Sequence, residues 1–203
     1  MHPNPIFRSD DHIKSLSFAA DRGFGVLSIN GASGPLAAHV PFIFNEDRSK
    51  VAFHLLRSNP VARAGSQPAL LAVSGPDGYI SPDWYEFEQQ VPTWNYIAVH
   101  IRGTLNVLGQ EALEPHLRSL SNAFEHRLLP KPMWDLDKVS PENRTKMMRM
   151  LVPVELEITE VDATWKLGQN KTDSARLKAA KELKHNSIGA EVAALATLME
   201  EIE

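Results

Sequence analysis

Cysteine is absent from the 203-residue sequence. Its absence excludes a disulfide scaffold, a thiol nucleophile, an iron-sulfur cluster and any cysteine-based zinc site, and it suits a reducing compartment. No apolar run approaches the ~20 residues needed to cross a bilayer. The opening MHPNPIFRSDDHIK carries two prolines and acidic residues where a signal peptide would carry an apolar core. A basic excess is missing as well: 21 Lys plus Arg face 25 Asp plus Glu, a formal charge of -4. A whole-surface grip on a polyanion is therefore not expected. Neither a G-x-S-x-G elbow nor a P-loop occurs, so serine-hydrolase and nucleoside-triphosphatase readings have no anchor. These exclusions predict a cytoplasmic protein with no membrane association.

What is present fits an ordinary globular chain, 43% hydrophobic and 23% charged. At this length one domain removes roughly 70% of its unfolded surface from water, so no staple is needed. The apolar spacing predicts a helix over residues 9–22, with Ser9 as N-cap, Ile13, Leu16 and Ala20 on one face, and Gly23 as stop. Gly23-Phe24-Gly25 follows a helix and precedes a strand, the wrong order for a dinucleotide fingerprint.

Extended runs follow at 24–29, 36–44 and 51–56. Their short spacers, NGASG and NEDRS, imply antiparallel hairpins. Asn59-Pro60 reads as a helix start, 69–73 as a buried strand, and SGPDG and FEQQVP as loops. Residues 93–108 read as a long strand, bent or bulged near Gly103. Helices are expected over 111–127 and from Ser140-Pro141 to about Met150, a last strand through Val154, Leu156 and Ile158, and helix from Thr172 onward. The expected class is α+β, an antiparallel sheet or small barrel with flanking helices and a helical C-terminal tail.

Polar residues able to do chemistry gather in four patches. HVPF lies within a strand. HLLRSNP, at a strand-to-helix junction, places an arginine, a serine and helix-start amides together, either as a phosphate seat or as a surface arginine beside an ordinary cap. The third patch, YISPDWY plus VPTWNY, holds five of the seven tryptophans and tyrosines. Rigid aromatics of this kind suit a planar ligand, an interface, or packing on the chain's own core. WKLGQNK supplies an indole, two amines and two amides, able to bind a polar heterocycle or an anion, or to form a solvated turn. His39, His54 and His100 fall on expected strands, as metal or haem ligands or as satisfied polar residues, without HxH or HExxH spacing.

In this order and at these separations, HVPF, HLLRSNP, GPDGYISPDWY, VPTWNYIAVHIRG and WKLGQN resemble the PaiB family of FMN-binding negative transcriptional regulators. The resemblance runs from Pro5 to about Asn170. It implies a split β-barrel, homodimeric, with FMN at the subunit interface: an FMN-binding domain over 1–170 and a C-terminal helical segment over 171–203. By resemblance, His54, Arg57, Ser58 and Asn59 hold the phosphate. Pro41, Phe42, Thr93, Trp94 and Asn95 meet the flavin ring, and Lys166, Gln169 and Asn170 approach from the partner subunit. This chain departs at Gly168, where the family reads KLSQN, and at Leu56, where alanine is common.

The resemblance implies a flavin-binding regulator rather than a dedicated enzyme. A flavin-dependent oxidoreductase using a nicotinamide donor and a haem-binding split barrel are the alternatives. DNA contact comes from the resemblance alone. Residues 166–184 carry six basic side chains against Asp173 and Glu182, a local basic stripe within an acidic whole.

Overall fold

The structure is a computed structural model and describes residues 1–9, 11–85, 89–185 and 188–202. A 3-10 turn at Pro5–Phe7, capped by Asn4, leads into β1 (Arg8–Ser9). The first helix, α1 (His12–Arg22), starts later than its sequence suggests. Asp11 Oδ1 accepts from Lys14 N at 2.8 Å and so caps it, while Ser9 is drawn into strand pairing with Ala163. Its buried side is Ser15 and Ala19, and Ile13 is 76% exposed, a correction to the expected face. Gly23, at φ +59, ends the helix as expected.

The hairpins follow the predicted pattern: β2 (Phe24–Gly31), β3 (Gly34–Pro41), β4 (Ile43–Phe44) and β5 (Lys50–Leu56). A four-residue helix, α2 (Pro60–Arg63), precedes β6 (Gln67–Ile80). Residues SGPDG were expected to loop but continue β6. Asp77 N and O bond to Ala190 O and N at 3.0 and 3.1 Å, and Tyr79 N bonds to Ile188 O at 3.0 Å. Those distant backbone partners satisfy an extended path that local turn chemistry does not reveal.

A 3-10 turn at Pro82–Tyr85 follows, and the expected FEQQVP loop includes residues 87 and 88, outside the described residues. Next come β7 (Thr93–Val107), α3 (Leu113–His126), α4 (Pro141–Met148, capped by Ser140) and β8 (Leu151–Lys166). β7 runs unbroken through Gly103; a Cβ there would lie 1.9 Å from Glu157 O, so glycine answers a close backbone approach. The tail holds α5 (Asp173–Leu183, capped by Thr172) and α6 (Val192–Glu200). The expected tail helix is thus two helices, and residues 186, 187 and 203 of it lie outside the described residues.

The hydrogen-bonded strand order is β3-β2-β6-β7-β8-β5-β4, with β1 on β8. The fold is α+β: an open, split antiparallel sheet with flanking and C-terminal helices. The chain divides into two compact units. One comprises Met1–Ser15, Ser74–His100 and Asp162–Glu203, with Tyr85, Ile97, Leu183, Leu195 and Met199 in its core. The other comprises Leu16–Val73 and Ile101–Val161, built around Leu27, Phe53, Leu71, Leu105, Leu113 and Leu156.

Candidate functional site

In the second unit β5 delivers His54 and, just past its end, Arg57, Ser58 and Asn59. Arg57 is exposed, but its guanidinium is fixed. Nε donates to Arg149 O at 3.2 Å, and Nη2 to Gln110 Oε1 at 2.9 Å and Leu151 O at 3.1 Å. Gln110 is itself braced by Met148 O at 2.9 Å. Among the described residues Arg57 Nη1 and the Ser58 hydroxyl have no hydrogen-bond partner. The pair therefore offers a preset cation and a hydroxyl to an anion.

Asn59 caps α2, accepting from Val61 N at 2.9 Å, and Pro60 has no N–H. The first two positions of α2 therefore offer no free amide to an anion. Pro41 is half-buried, whereas Phe42 is buried and meets Phe44 edge to face at 5.7 Å.

His54 Nδ1 lies 3.2 Å from Nε2 of His116 on α3. Burial lowers the His54 pKa. His116 is pushed down to about 4, first by burial and then by the neighbouring His54. His116 Nδ1 is buried without a partner. His39 is exposed and stacks on Phe24 at 6.3 Å. No group of three or more His, Asp or Glu side chains able to hold a metal occurs among the described residues.

In the first unit Lys166 joins two of the predicted residues. Its ammonium donates to Thr93 Oγ1 and, at 2.7 Å, to Trp94 O. Burial, and then Lys171, lowers its pKa. Trp94 is 44% exposed and meets Tyr79 edge to face at 6.3 Å. Asn95 does not join this surface; it is buried, with Nδ2 3.5 Å from Met199 Sδ. Gln169 turns back on its own segment, accepting from Leu167 N at 2.8 Å and donating to Trp165 O. Asn170 is exposed. Gly168 has φ +90, a conformation costly to any residue with a Cβ.

The basic stripe is largely committed to internal contacts. Arg176 is buried and donates to Met199 O, Ile202 O at 3.2 Å and Asp173 Oδ1 at 2.7 Å. Lys171 bonds Gln90 and lies over the Tyr85 ring, and Lys184 pairs with Glu200 at 2.8 Å.

A family described as "Putative FMN-binding domain" matches residues 1–160. The chain belongs to this FMN-binding family. Within it, the chain is similar to "Protease synthase and sporulation protein PAI 2" of Bacillus subtilis (strain 168), 29% identical over 189 residues, covering 91% of this chain and 89% of that protein. That relation bears out the PaiB resemblance.

Solved structures share the split-barrel fold. The FAD and heme binding protein of Mycobacterium smegmatis has a TM-score of 0.59 at 15% identity, covering 90% of this chain and 82% of that one. The flavocytochrome Anf3 of Azotobacter vinelandii has a TM-score of 0.60 at 16% identity, covering 83% and 73%. At these identities the likeness is one of fold.

Sequence reading missed Gln110 and His116. Gln110 carries no motif and acts through its reach to Arg57. His116 falls among Leu113, Leu117 and Leu120 at helical spacing, a pattern that does place it on a buried face.

Proposed function

We propose that the protein is a cytoplasmic, homodimeric flavin-binding regulator in which Arg57 and Ser58 hold the FMN phosphate. One observation carries this reading: the Arg57 guanidinium is fixed by two carbonyls and Gln110, with Nη1 and the Ser58 hydroxyl left for an anion. That donor set fits a phosphate monoester, which accepts charge-assisted bonds from arginine. His54 and Asn59 flank it, the one paired with His116 and the other with its amide nitrogen beyond the cap.

Thr93, Trp94 and Lys166 form a second group, an exposed indole beside a tethered cation. We assign it to the flavin contact that a second subunit brings. Bound FMN would supply electron transfer through its ring, and the chain would supply binding and orientation.

DNA contact, implied by resemblance, has narrower support. On α5 the exposed cations are Lys178 and Lys181, because Arg176 is buried.

FMN titration followed by flavin fluorescence quenching tests the phosphate assignment. Arg57→Ala is expected to weaken FMN by roughly tenfold or more, since a hydrogen bond to a charged group contributes about 1.5–3 kcal/mol. Equal affinity in both proteins removes the assignment. Sedimentation of the FMN-loaded protein as a monomer would refute the dimer.

A further inference from the structure

We propose that His116 is a positioning residue that fixes His54 as a neutral Nε2–H donor to the anion held at Arg57 and Ser58. This role rests on the FMN phosphate lying at those two residues. β5 turns Phe53 and Leu55 into the core and His54 to its opposite face, where His54 meets His116 of α3. Residues 110–116 engage the end of β5 twice: Gln110 Oε1 accepts from Arg57 Nη2 at 2.9 Å, and His116 Nε2 lies 3.2 Å from His54 Nδ1. One short stretch of chain thus sets both the guanidinium and the imidazole.

The sealed end of the pair decides where its protons sit. His116 is 9% exposed, and its Nδ1 is shut off from solvent without a partner. A proton there would bury an unpaired N–H, which costs more than a bare lone pair. His116 therefore carries its proton on Nε2 and donates it to His54 Nδ1. Because His54 Nδ1 accepts, the proton of the neutral His54 ring is on Nε2. That nitrogen belongs to a half-buried side chain, has no partner among the described residues and, unlike His116 Nδ1, is not sealed.

The same feature opposes a positive charge, since one more proton would have to enter at His116 Nδ1. No carboxylate draws one in. His54 stands opposite Pro153 on β8. The charged groups flanking the pair on β5, β8 and α3 are Lys50 and Glu155, joined at 2.8 Å, Arg118 and Glu114, also joined at 2.8 Å, and Arg57. Among the described residues none of these bonds to either imidazole. Burial also lowers the pKa of both rings. His54 thus offers an N–H without a charge over the range in which an unconstrained histidine titrates.

Nitrogen-15 NMR of the full chain reads the two rings directly. His54 is expected to stay neutral, with its proton on Nε2, from about pH 8 down to about pH 5.5. In His116→Leu the fixed tautomer should be lost and His54 should titrate near the ordinary value of about 6.5. His116→Gln, whose amide can donate to His54 Nδ1, should restore the wild-type behaviour.

FMN fluorescence quenching reads the consequence for binding. His54→Leu should weaken FMN about tenfold and leave riboflavin, which has no phosphate, unchanged. His116→Leu should weaken FMN about threefold near pH 8 and regain wild-type affinity by about pH 5.5, where its His54 gains a charge. Ionisation of FMN itself cancels in the ratio of the two proteins, and His116→Gln should follow the wild type.

A wild-type His54 ring protonated on Nδ1, or charged at about pH 6.5, overturns the proposal. Parallel pH profiles for wild type and His116→Leu do the same. If His116→Leu fails to fold, the wild-type spectrum and His116→Gln still decide. FMN affinity unmoved by His54→Leu but weakened by Arg57→Ala overturns the role of His54 alone. Affinity indifferent to Arg57→Ala removes the phosphate assignment, and this role with it.

Discussion

His54 Nδ1 and His116 Nε2 face each other at 3.2 Å, and the far nitrogen of His116 is buried without a partner. Only one proton fits between them. Neutral His116 donating from Nε2 leaves its Nδ1 as a bare lone pair, which costs less than burying an unpaired N–H.

The pair predicts a stability limb on the acid side. His116 titrates near 6.5 when unfolded and about 4 when folded, so between those values the unfolded chain binds more protons. Stability then falls as pH drops from 6.5 towards 4, by on the order of 3 kcal/mol. Urea unfolding across that range should show the slope, and His116→Leu should flatten it. An unchanged slope in the variant assigns the limb elsewhere.

Gln110 should matter to FMN without touching it. It bridges Arg57 and Met148 O, so Gln110→Ala is expected to loosen the guanidinium. We expect a loss of about 0.5–1 kcal/mol in FMN binding, roughly two- to fivefold. FMN titration would show this, and the variant's melting temperature should barely move.

Arg176 is 4% exposed and ties α5 to the carbonyls of Met199 and Ile202. Arg176→Ala should cost about 2–4 kcal/mol, because α6 loses its anchor and buried carbonyls lose their donor. Denaturant midpoints measure it, and a change below about 0.5 kcal/mol would refute the anchoring role.

Gly103→Ala presses a methyl against the Glu157 carbonyl, 1.9 Å away on ideal geometry. No side chain can yield there, so the expected loss is at least about 3 kcal/mol. Expression with native-like stability would mean the strands separate more easily than this packing implies.

Local chemistry made much of the fold readable in advance. Asn59-Pro60 and Ser140-Pro141 announced α2 and α4, and the alternation through residues 24–56 announced the hairpins. Reading failed where the deciding partner is remote in sequence. SGPDG has every local mark of a turn, yet residues 188–190 hold it extended. Ser9 looks like a cap, but Ala163 claims it for pairing.

The site shows the same division. Trp94 and Lys166 were legible as chemical types, and their tether through Thr93 and the Trp94 carbonyl joins segments 72 residues apart. Asn95, one position on, alternates to the opposite face and is buried there, as a strand requires.

The bonds from Asp77 and Tyr79 to Ala190 and Ile188 also bear on how the chain tolerates shortening. A protein cut at residue 170 would keep every residue the family model matches, yet it would bare the backbone of Asp77 and Tyr79. Unpaired strand backbone recruits other chains. The tail thus works as insulation, and its removal should show first as self-association.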